Sequence, residues 1–417
     1  DNEAEFYFDT WRSEIIITTY DQLLLALMSP KGRHQIRMHQ LCDALIILDE
    51  IQSLPCELWD PFHQMLRALS VEGNSRILAM SATLPTVLKD AIALISPSEQ
   101  ERYFGSFQRY RIILDHQYPC DIDAFLEEIS LHLEEWEENG ERILITMNTR
   151  LSARKVRNYI AERWEGDLYF ITADVIPKHR LAMVEKIKEG SPCLVVSTQC
   201  IEAGVDIDMD RIIRDFAPLD SVIQIAGRCN RHGRKERAFI TLRRINNEKG
   251  RCYADMIYDK VQLDATLQLF VGRQYVDEEE VLDLSKQYFH TLSQNKNLGR
   301  EHSENLAYWQ EHVNVRKLLR GEQQEQVQFI VIEEAPGLHC KLEAARKIKD
   351  RWERRRAFRR LAGELAEVTV SIYSTSHFEP AEVADPFGPF WLLHSGYYNQ
   401  EEGLVLPSLS TEGTFIL

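Results

Sequence analysis

Two kinds of segment are missing from this sequence of 417 residues: an apolar run long enough to span a bilayer, and a secretory signal peptide. None of the eight cysteines belongs to a CxxC pair, so neither a zinc cluster nor a disulfide framework is indicated. These absences predict that the protein has no membrane partner and works in a reducing, cytoplasmic setting.

The sequence also lacks the G-x-x-x-x-G-K-[ST] loop whose backbone cradles nucleotide phosphates in many hydrolases. Positive charge is in the minority, because 49 Lys and Arg stand against 65 Asp and Glu, a net charge of −16. This balance argues against wholesale binding to polyanions, although a groove needs only local positive charge. The chain opens at Asp1 without a methionine, and we expect an apolar strand already at 14–18. We therefore expect the sequence to begin inside a domain and to be a fragment.

What is present is an alternation of short apolar runs with helical patterns, which is typical of a parallel α/β sheet. A first series predicts helices at 20–28, 58–69 and 86–95. After a linker at 99–119, a second series predicts helices at 122–138, 151–164, 178–189 and 220–231, the third of them opened by Pro177. Long charged helical segments such as 341–365 follow, and the chain ends in short strand-like pieces. Beyond 14–18, the strands are expected at 44–48, 76–80, 142–146, 168–171, 193–197, 211–216 and 238–243.

The strongest local signal is the acidic pair Asp49 and Glu50, which ends the apolar run 44–48. Ligands of open α/β sheets bind at the carboxyl ends of the strands. An Asp there can hold Mg²⁺ in phosphoryl transfer, and a neighbouring acid can activate the attacking water. The alternative is a strand that simply ends in solvated acids. About thirty residues later Ser81 and Thr83 follow the next strand, where their hydroxyl groups can reach the same edge, although a plain loop is the alternative.

The second series supplies positive charge in the segment 224–231, Gln-Ile-Ala-Gly-Arg-Cys-Asn-Arg. We predict that Arg228 and Arg231 share one face of a helix, where guanidinium groups suit developing phosphate charge. Gln224 adds an amide one turn earlier, and Gly227 would let another backbone approach closely. A solvated basic helix end is the alternative.

Three further segments combine hydroxyl and amide groups at strand ends. In 197–208, Thr198 and Gln199 can bond nucleic-acid phosphates, while Gly204 and Asp206 can turn towards a nucleotide; the alternative is a strand-to-loop connection. In 145–150, Asn148 or Thr149 caps the next helix or touches a phosphate, and capping is the favoured role of Thr149. The same ambiguity holds for Thr18 and Thr19 before the helix at 20–28.

These segments, in this order, resemble the later motifs of superfamily 2 helicases. The stretches 198–206 and 227–233 are similar to the helicase–nuclease of type I CRISPR systems, and 396–404 is similar to that family's C-terminal domain. The resemblance covers nearly the whole chain and is weak between about 246 and 326. It implies two RecA-like P-loop NTPase-type domains in tandem, the first incomplete, with ATP between them, followed by a C-terminal accessory domain. The expected segments are 1–105, 106–245, a helical linker at 246–325, and 326–417.

The resemblance also implies roles for the residues in these segments. Asp49 would bind Mg²⁺, Glu50 would activate water, and Arg228 and Arg231 would contact the γ-phosphate of ATP. Single-stranded DNA, an RNA-guided surveillance complex of the Cascade type and an HD nuclease domain, in cis or in trans, are the implied partners. The residues expected to line the nucleotide are Gln52, Gly204, Asp206, Gln224 and Gly227. Those expected to contact nucleic acid are Thr18, Thr19, Asn148, Thr149, Thr198 and Gln199. Ser81 and Thr83 would couple the nucleotide site to the nucleic-acid site.

The sequence departs from the family in its missing phosphate loop, in having no His-Asp cluster like a nuclease site, and in Gln52, where many relatives have His. Without the phosphate loop, ATP affinity should be poor and hydrolysis negligible for these residues alone. A helicase of CRISPR defence is the favoured reading. A general repair or RNA helicase, and a non-catalytic binding subunit with a degenerate motor fold, are the alternatives.

Overall fold

The computed structural model describes residues 2–81, 87–88, 90–308, 314–320, 326–373 and 378–406. The chain forms two compact units, and each is described by itself. The first comprises residues 1–104, 264–269 and 280–323, and the second comprises residues 105–263, 270–279 and 324–417. The division into four segments expected from the sequence stays a prediction.

The first unit contains a parallel pair of strands, β1 (Leu45–Leu48) and β2 (Arg76–Ala79). Ile46 and Leu48 are buried, whereas Leu45 and Ile47 on the other face of the pair are exposed. Alternate residues of a strand point to opposite faces, so only one face of this pair is covered in the described structure. The described helices of four or more residues in this unit are Asn2–Thr10, Tyr20–Met28, Gly32–Gln35, Trp59–Val71, Pro97–Gly105 (all but its last residue), Val281–Asn295, Arg300–Ala307 and Val315–Arg320.

The first unit departs from the sequence-based expectation in two places. The predicted strand at 14–18 is wrong: these residues lie in irregular structure, and Ile15 and Ile17 are exposed because no strand of the described residues pairs with them. The predicted helix at 86–95 is also wrong in its described part. A helix instead begins at Pro97 and ends at Gly105, because a proline fits the first position of a helix.

The second unit is built on a seven-stranded sheet with the order β5-β6-β4-β7-β8-β3-β9. All neighbouring strands are parallel except β9, which runs antiparallel to β3 at the edge. The strands are β3 (Tyr110–Asp121), β4 (Arg142–Thr146), β5 (Asp167–Ile171), β6 (Cys193–Ser197), β7 (Arg211–Asp215), β8 (Ala238–Asn246) and β9 (Tyr275–Asp277).

Helices cover this sheet and bury its apolar residues. The helix at Ile122–Glu138 packs Phe125, Ile129 and Trp136 into a core that includes Ile143 and Val196 of the central strands. The predicted linker at 99–119 is wrong, because most of it forms the helix Pro97–Gly105 and the strand β3. Its proline lies in a register shift of β3, where no ladder donor is needed. The other helices are Arg150–Ala161, Pro177–Lys188, Leu219–Ala226, Ala254–Ile257 and Lys260–Phe270.

The C-terminal part of the second unit forms a smaller sheet with the order β11-β10-β13-β12 and a separate ribbon of β14 and β15. The predicted long helical segment at 341–365 is broken into three helices, Leu338–Arg346, Arg351–Arg360 and Ala362–Glu367. Phe329, Leu342 and Leu404 share one buried cluster. The strands are β10 (Gln326–Ile330), β11 (Thr369–Tyr373), β12 (Ala384–Phe387), β13 (Phe390–Leu393), β14 (Tyr398–Asn399) and β15 (Gly403–Leu404).

Candidate nucleotide and nucleic-acid sites

The acidic pair follows β1 directly and is held by its own backbone. Glu50 has a φ of 52°, in the left-handed region, so the chain turns sharply at this residue. The Oδ1 atom of Asp49 accepts a hydrogen bond from the Glu50 N–H over 3.0 Å, and the Tyr20 hydroxyl donates to the Asp49 carbonyl over 2.8 Å. Burial, followed by the charges of Asp49 and Glu50, raises the pKa of Tyr20 to about 12, so its phenol keeps its proton at neutral pH.

The structure brings the acidic pair together with the residue that follows β2. Gln52 is buried, and its side-chain amide donates a hydrogen bond to the Glu50 carboxylate. The Ser81 hydroxyl donates to the Oε1 atom of Gln52 over 2.6 Å. Residues 50, 52 and 81 therefore form one hydrogen-bonded chain at the carboxyl ends of two neighbouring parallel strands. Thr83 lies outside the described residues.

Asp49 suits a magnesium ion that is shared with a nucleotide. Asp49 is exposed, and among the described residues no protein group donates to its Oδ2 atom. Mg²⁺ is usually held by one or two carboxylates together with substrate phosphates and water, rather than by a cage of protein groups. Across the described residues, no group of three or more His, Cys, Asp and Glu side chains could hold a metal ion by itself. The donor set thus fits a metal–phosphate complex, and none of the 417 residues supplies the family's phosphate loop.

The two arginines of the second unit do not share a helical face, so that prediction is wrong. The helix ends at Ala226, and Cys229 instead forms a strand-like bridge with Met209. The Met209 N–H donates to the Arg228 carbonyl over 2.9 Å, and the Asn230 N–H donates to the Met209 carbonyl over 2.8 Å. These two hydrogen bonds to residue 209 occupy backbone groups of residues 228 and 230 that a continuing helix would need.

Both arginines contact the loop after β6, while their contact with a phosphate stays a prediction. The Nη2 atom of Arg228 donates to the Glu202 carbonyl over 2.8 Å, and the Nε atom of Arg231 lies 2.9 Å from the Oδ1 atom of Asp206. Gly204, between these two contacts, has a φ of 72°, a conformation that favours glycine. The structure therefore brings the predicted segments 198–206 and 227–231 together in one unit.

The structure contradicts the reason expected for Gly227 and leaves the expected role of Gln224 untested. A Cβ atom on Gly227 would meet only the carbonyl oxygen of Gln224 at 3.4 Å and that of Ile223 at 3.8 Å, which is ordinary contact with its own helix. The close approach of another backbone is therefore not found among the described residues, and that reason for the glycine is wrong. Gln224 is half-buried on the helix Leu219–Ala226, and its role at a nucleotide stays a prediction.

A buried arginine that the sequence analysis did not single out lies behind these loops. Arg214 in β7 is fully buried and donates to the Oδ1 atom of Asn148 over 2.7 Å, to the Oε1 atom of Glu202 over 2.8 Å and to the hydroxyl of Tyr258 over 2.8 Å. It therefore fixes the ends of β4 and β6 and the segment after β8 relative to one another. The available signal was a charged residue inside an otherwise apolar strand, since buried charges are rare without partners.

The polar groups expected to touch nucleic acid are largely used inside this network. The Asn148 side-chain amide donates to the Phe216 carbonyl over 2.7 Å, and that of Gln199 donates to the Asn148 carbonyl over 3.0 Å. Thr198 is buried, and its hydroxyl donates to the Cys200 sulfur over 3.5 Å. Their direct contact with a nucleic acid stays a prediction.

The capping roles are confirmed for two threonines. The Thr149 hydroxyl accepts from the Ser152 N–H over 3.0 Å in a reciprocal capping box, and the helix begins at Arg150. Thr19 accepts from the Gln22 N–H over 3.4 Å and caps the helix Tyr20–Met28. Thr18 is exposed in the segment before that helix.

Burial has shifted two acids near the buried arginine. Burial raises the pKa of Asp215 to about 7, because desolvation outweighs the neighbouring Arg214 charge. Burial likewise raises the pKa of Glu202, against the opposing effect of Arg214. The second unit therefore holds an acid–arginine cluster whose charge depends on pH near neutrality.

Comparisons with known proteins agree with this arrangement. The family model for the C-terminal part of the CRISPR-associated nuclease/helicase Cas3 matches residues 139–234, which contain Arg214, Asn148, Glu202 and both candidate arginines. Over these residues the chain is similar to Cas3. A Haloferax volcanii CRISPR-associated nuclease/helicase Cas3 is 26% identical over 322 residues, covering 55% of this chain and 34% of the relative. One from Methanothermobacter thermautotrophicus is 28% identical over 267 residues, covering 61% of this chain and 32% of the relative.

Solved structures show the same fold for this chain. A crystal structure of T. fusca Cas3 has a TM-score of 0.61 at 16% identity and covers 90% of this chain and 53% of that one. A pre-nicking CRISPR RNA-guided surveillance complex contains a chain with a TM-score of 0.63 at 14% identity, covering 96% of this chain and 61% of that one. The predicted α/β class with tandem RecA-like domains is thereby confirmed.

The chain spans about a third of the length of these curated relatives, 34% and 32%. In the parts of the chain that the structure describes, no helix combines the length and the apolar character needed to cross a membrane. All eight cysteines are free thiols.

Proposed function

We propose that this chain has a CRISPR-associated helicase role, which its similarity to Cas3 proteins supports. We propose, more specifically, that the protein containing this sequence is an ATP-dependent translocase on single-stranded DNA that serves type I CRISPR interference. The contact of Arg228 and Arg231 with the 202–206 loop carries the proposal, because it gathers two guanidinium groups beside a glycine turn. A scaffold would gain little from holding them there.

In the proposed mechanism, Asp49 holds Mg²⁺ and Glu50 takes the proton of the attacking water. Arg228 and Arg231 stabilise the negative charge that develops on the transferred phosphate, for which guanidinium forks are well suited. ATP supplies the phosphate bond whose hydrolysis drives movement. Hydrogen bonds connect Glu50 to Gln52 and Gln52 to Ser81. A change in the protonation of Glu50 would therefore alter the hydrogen bonding of Ser81 at the end of β2.

The proposed partners follow from the relatives. The similarity to a chain in a pre-nicking surveillance complex supports a Cascade-type partner, and the nuclease/helicase relatives support an HD nuclease domain acting in cis or in trans. A cytoplasmic setting belongs to the same proposal.

A second candidate is a general superfamily 2 repair or RNA helicase. An ATP-dependent helicase Lhr-Core from Methanocaldococcus jannaschii is 27% identical over 232 residues, covering 53% of this chain and 26% of the relative. Cas3 proteins of several organisms, among them Haloferax volcanii and Methanothermobacter thermautotrophicus, are similar to the chain, which favours the first candidate.

The test measures steady-state ATP hydrolysis by the natural protein that contains this sequence, with single-stranded DNA, with RNA and without nucleic acid. We expect stimulation by DNA in the presence of Mg²⁺, and its loss in Asp49→Asn and Arg228→Ala. The control is Arg234→Ala, an exposed arginine whose Nε atom lies 3.8 Å from the Oδ2 atom of Asp208. Stronger stimulation by RNA would favour the second candidate, and equal turnover in wild type and Arg228→Ala would remove that arginine from catalysis.

A further inference from the structure

The C-terminal part of the second unit carries a concentration of positive charge that the proposed motor does not use. Residues 341–360 include ten Lys and Arg and only three acids, in a chain whose net charge is −16. Arginine dominates the helix Arg351–Arg360, with the sequence RWERRRAFRR. Such a density within an acidic protein is the local positive charge that a polyanion would recognise.

This helix is fixed to the unit on one side only. Asp350 caps it by accepting from the N–H groups of Trp352 and Glu353 over 2.9 and 2.8 Å. Phe358 and Leu361 pack against the apolar cluster of the C-terminal sheet. The opposite side, which we name the arginine face, consists of exposed residues: Arg351, Trp352, Arg355, Arg356, Arg359 and Arg360.

Two of the positive charges before the helix, Lys341 and Arg346, are paired with acids, whereas several within the helix are not. The Nζ atom of Lys341 lies 2.7 Å from the Oε2 atom of Glu364, and the Nη1 atom of Arg346 lies 3.5 Å from the Oε1 atom of Glu343. Among the described residues, Arg351, Arg355 and Arg360 have no acid within ion-pair distance. Like charges three or four positions apart on a helix repel one another, so the arginine face costs stability until an anion covers it.

Trp352 distinguishes this face from an ordinary solvated charge run. Its side chain is 65% exposed, and it lies one helical turn from Arg355 and Arg356. An exposed indole beside guanidinium groups offers both a stacking surface and phosphate donors, which is how single-stranded nucleic acids are held without sequence preference. An acidic protein would use the charges but not the ring. A membrane would need more than one apolar side chain on the face.

We propose that the arginine face is a second nucleic-acid contact of this protein, which binds a single strand through its phosphates and stacks a base on Trp352. Arg351, Arg355 and Arg360 supply donors to phosphate oxygens. The contact lies outside the residues proposed for ATP hydrolysis and needs no nucleotide. It would keep a single strand bound to the protein after that strand has left the ATP-hydrolysing part.

The test uses the 417-residue chain, a fluorescein-labelled oligodeoxythymidine of about 20 nucleotides and fluorescence anisotropy across a salt series without ATP. The variant is Arg351→Gln/Arg355→Gln/Arg360→Gln. The matched control removes three exposed positive charges elsewhere in the same unit, as Arg163→Gln/Lys186→Gln/Lys188→Gln. Each lost phosphate contact lowers the slope of log affinity against log salt by about 0.7, so we expect a decrease of about 2 in the variant and none in the control.

Trp352 gives the second arm. Thermal melting checks that the triple variant and Trp352→Ala are folded, and the triple variant should melt at or above the wild-type temperature because repulsion between arginines is removed. We expect Trp352→Ala to weaken binding about tenfold, and Trp352→Phe to retain most of it, because a ring still stacks. Equal slopes for the triple variant and the control would overturn the proposal. So would wild-type affinity in Trp352→Ala together with displacement of the strand by polyglutamate at equal charge, since that result assigns the face to an acidic protein.

Discussion

Gly403 lies so close to the backbone of Asp174 that a Cβ atom on residue 403 would stand 2.4 Å from the Asp174 carbonyl oxygen. The next residue, Leu404, donates its N–H to that same oxygen over 2.9 Å. The Tyr398 hydroxyl accepts from the Ile176 N–H over 3.2 Å, and Asp174 itself pairs with arginines of the preceding helix. The terminal ribbon of β14 and β15 is thus bonded to the loop after β5 within the second unit.

This contact predicts that Gly403→Ala destabilises the protein more than another glycine substitution at a left-handed position. Gly403 and Gly396 both have positive φ, 72° and 88°, but a Cβ on Gly396 would meet nothing within 4 Å. We expect Gly396→Ala to lower the free energy of unfolding by about 1–2 kcal/mol through backbone strain. Gly403→Ala should lose about 1–3 kcal/mol beyond that through overpacking, measured by urea denaturation. Equal losses in the two variants would show that the ribbon of β14 and β15 can shift to accommodate the added Cβ atom without a loss of stability.

Asp215 predicts a specific pH dependence of stability. Burial raises the folded-state pKa of its carboxyl to about 7, above the usual unfolded value of about 3.9. Between these values the folded state keeps a proton that the unfolded state has released. Stability from this group is therefore present at low pH and decreases as the pH rises from about 4 to about 7, by about 1.4 kcal/mol for each pH unit.

Asp215→Asn removes the titration and checks the sign. Urea denaturation gives the free energy of unfolding of this variant relative to wild type. We expect that difference to rise between pH 4.5 and pH 6.5 by about 1.4 kcal/mol for each of the two pH units. A difference that is constant over this range would mean that Asp215 ionises at an ordinary pKa despite its burial. The exposed Asp167, at the start of β5, gives the matched Asp→Asn control.

Arg231 predicts a separation of stability from activity. Its pair with Asp206 is largely exposed, at 37% and 62%, and exposed ion pairs contribute about 0–1 kcal/mol. Arg231→Ala should therefore leave the melting temperature nearly unchanged. If the proposed function holds, the same variant of the natural protein loses ATP turnover by a factor on the order of 10³. Arg234→Ala, in the same loop, should retain turnover, and a similar loss in both variants would point to a disturbed loop rather than to a catalytic group.

The hydrogen bond from Ser81 to Gln52 predicts energetic coupling between the ends of β1 and β2. Gln52→Ala and Ser81→Ala, alone and combined, form a double-mutant cycle measured by urea denaturation. We expect an interaction energy of about 0.5–1.5 kcal/mol, as for a hydrogen bond at a half-buried site. Additive losses would contradict the 2.6 Å contact between the two side chains. The effect of Ser81→Ala on strand separation in the natural protein tests its proposed coupling role.

Local patterns were sufficient for most elements of the second unit. The helix Ile122–Glu138 and the strands Arg142–Thr146 and Cys193–Ser197 have the bounds that periodicity predicts. Pro177 opens its helix as expected, because a proline ring fits the first helical position. The predicted linker at 99–119 is wrong where β3 forms, and the strand accommodates its proline because a register shift in the ladder removes the need for the missing N–H.

The candidate site was predicted in its residues but not in its geometry. The order of acidic pair, hydroxyl loop and arginine segment was visible in the sequence, and so was its resemblance to superfamily 2 helicases. That Arg228 and Arg231 lie in a turn, rather than on a helix, follows from the bridge between Cys229 and Met209, residues twenty positions apart. Helical spacing describes only neighbours along the chain, so it could not include that bridge.

The sequence by itself determined the α/β class, the strand ends that carry polar groups, and the threonines that cap helices, because these depend on residues a few positions apart. Only the tertiary structure decided that Arg214 is wholly buried, that it ties Asn148 to Glu202, and that Gly403 rests on Asp174. These relationships join distant parts of the chain. Their energies come from burial and close packing, which exist only once the sheet and its helices have assembled.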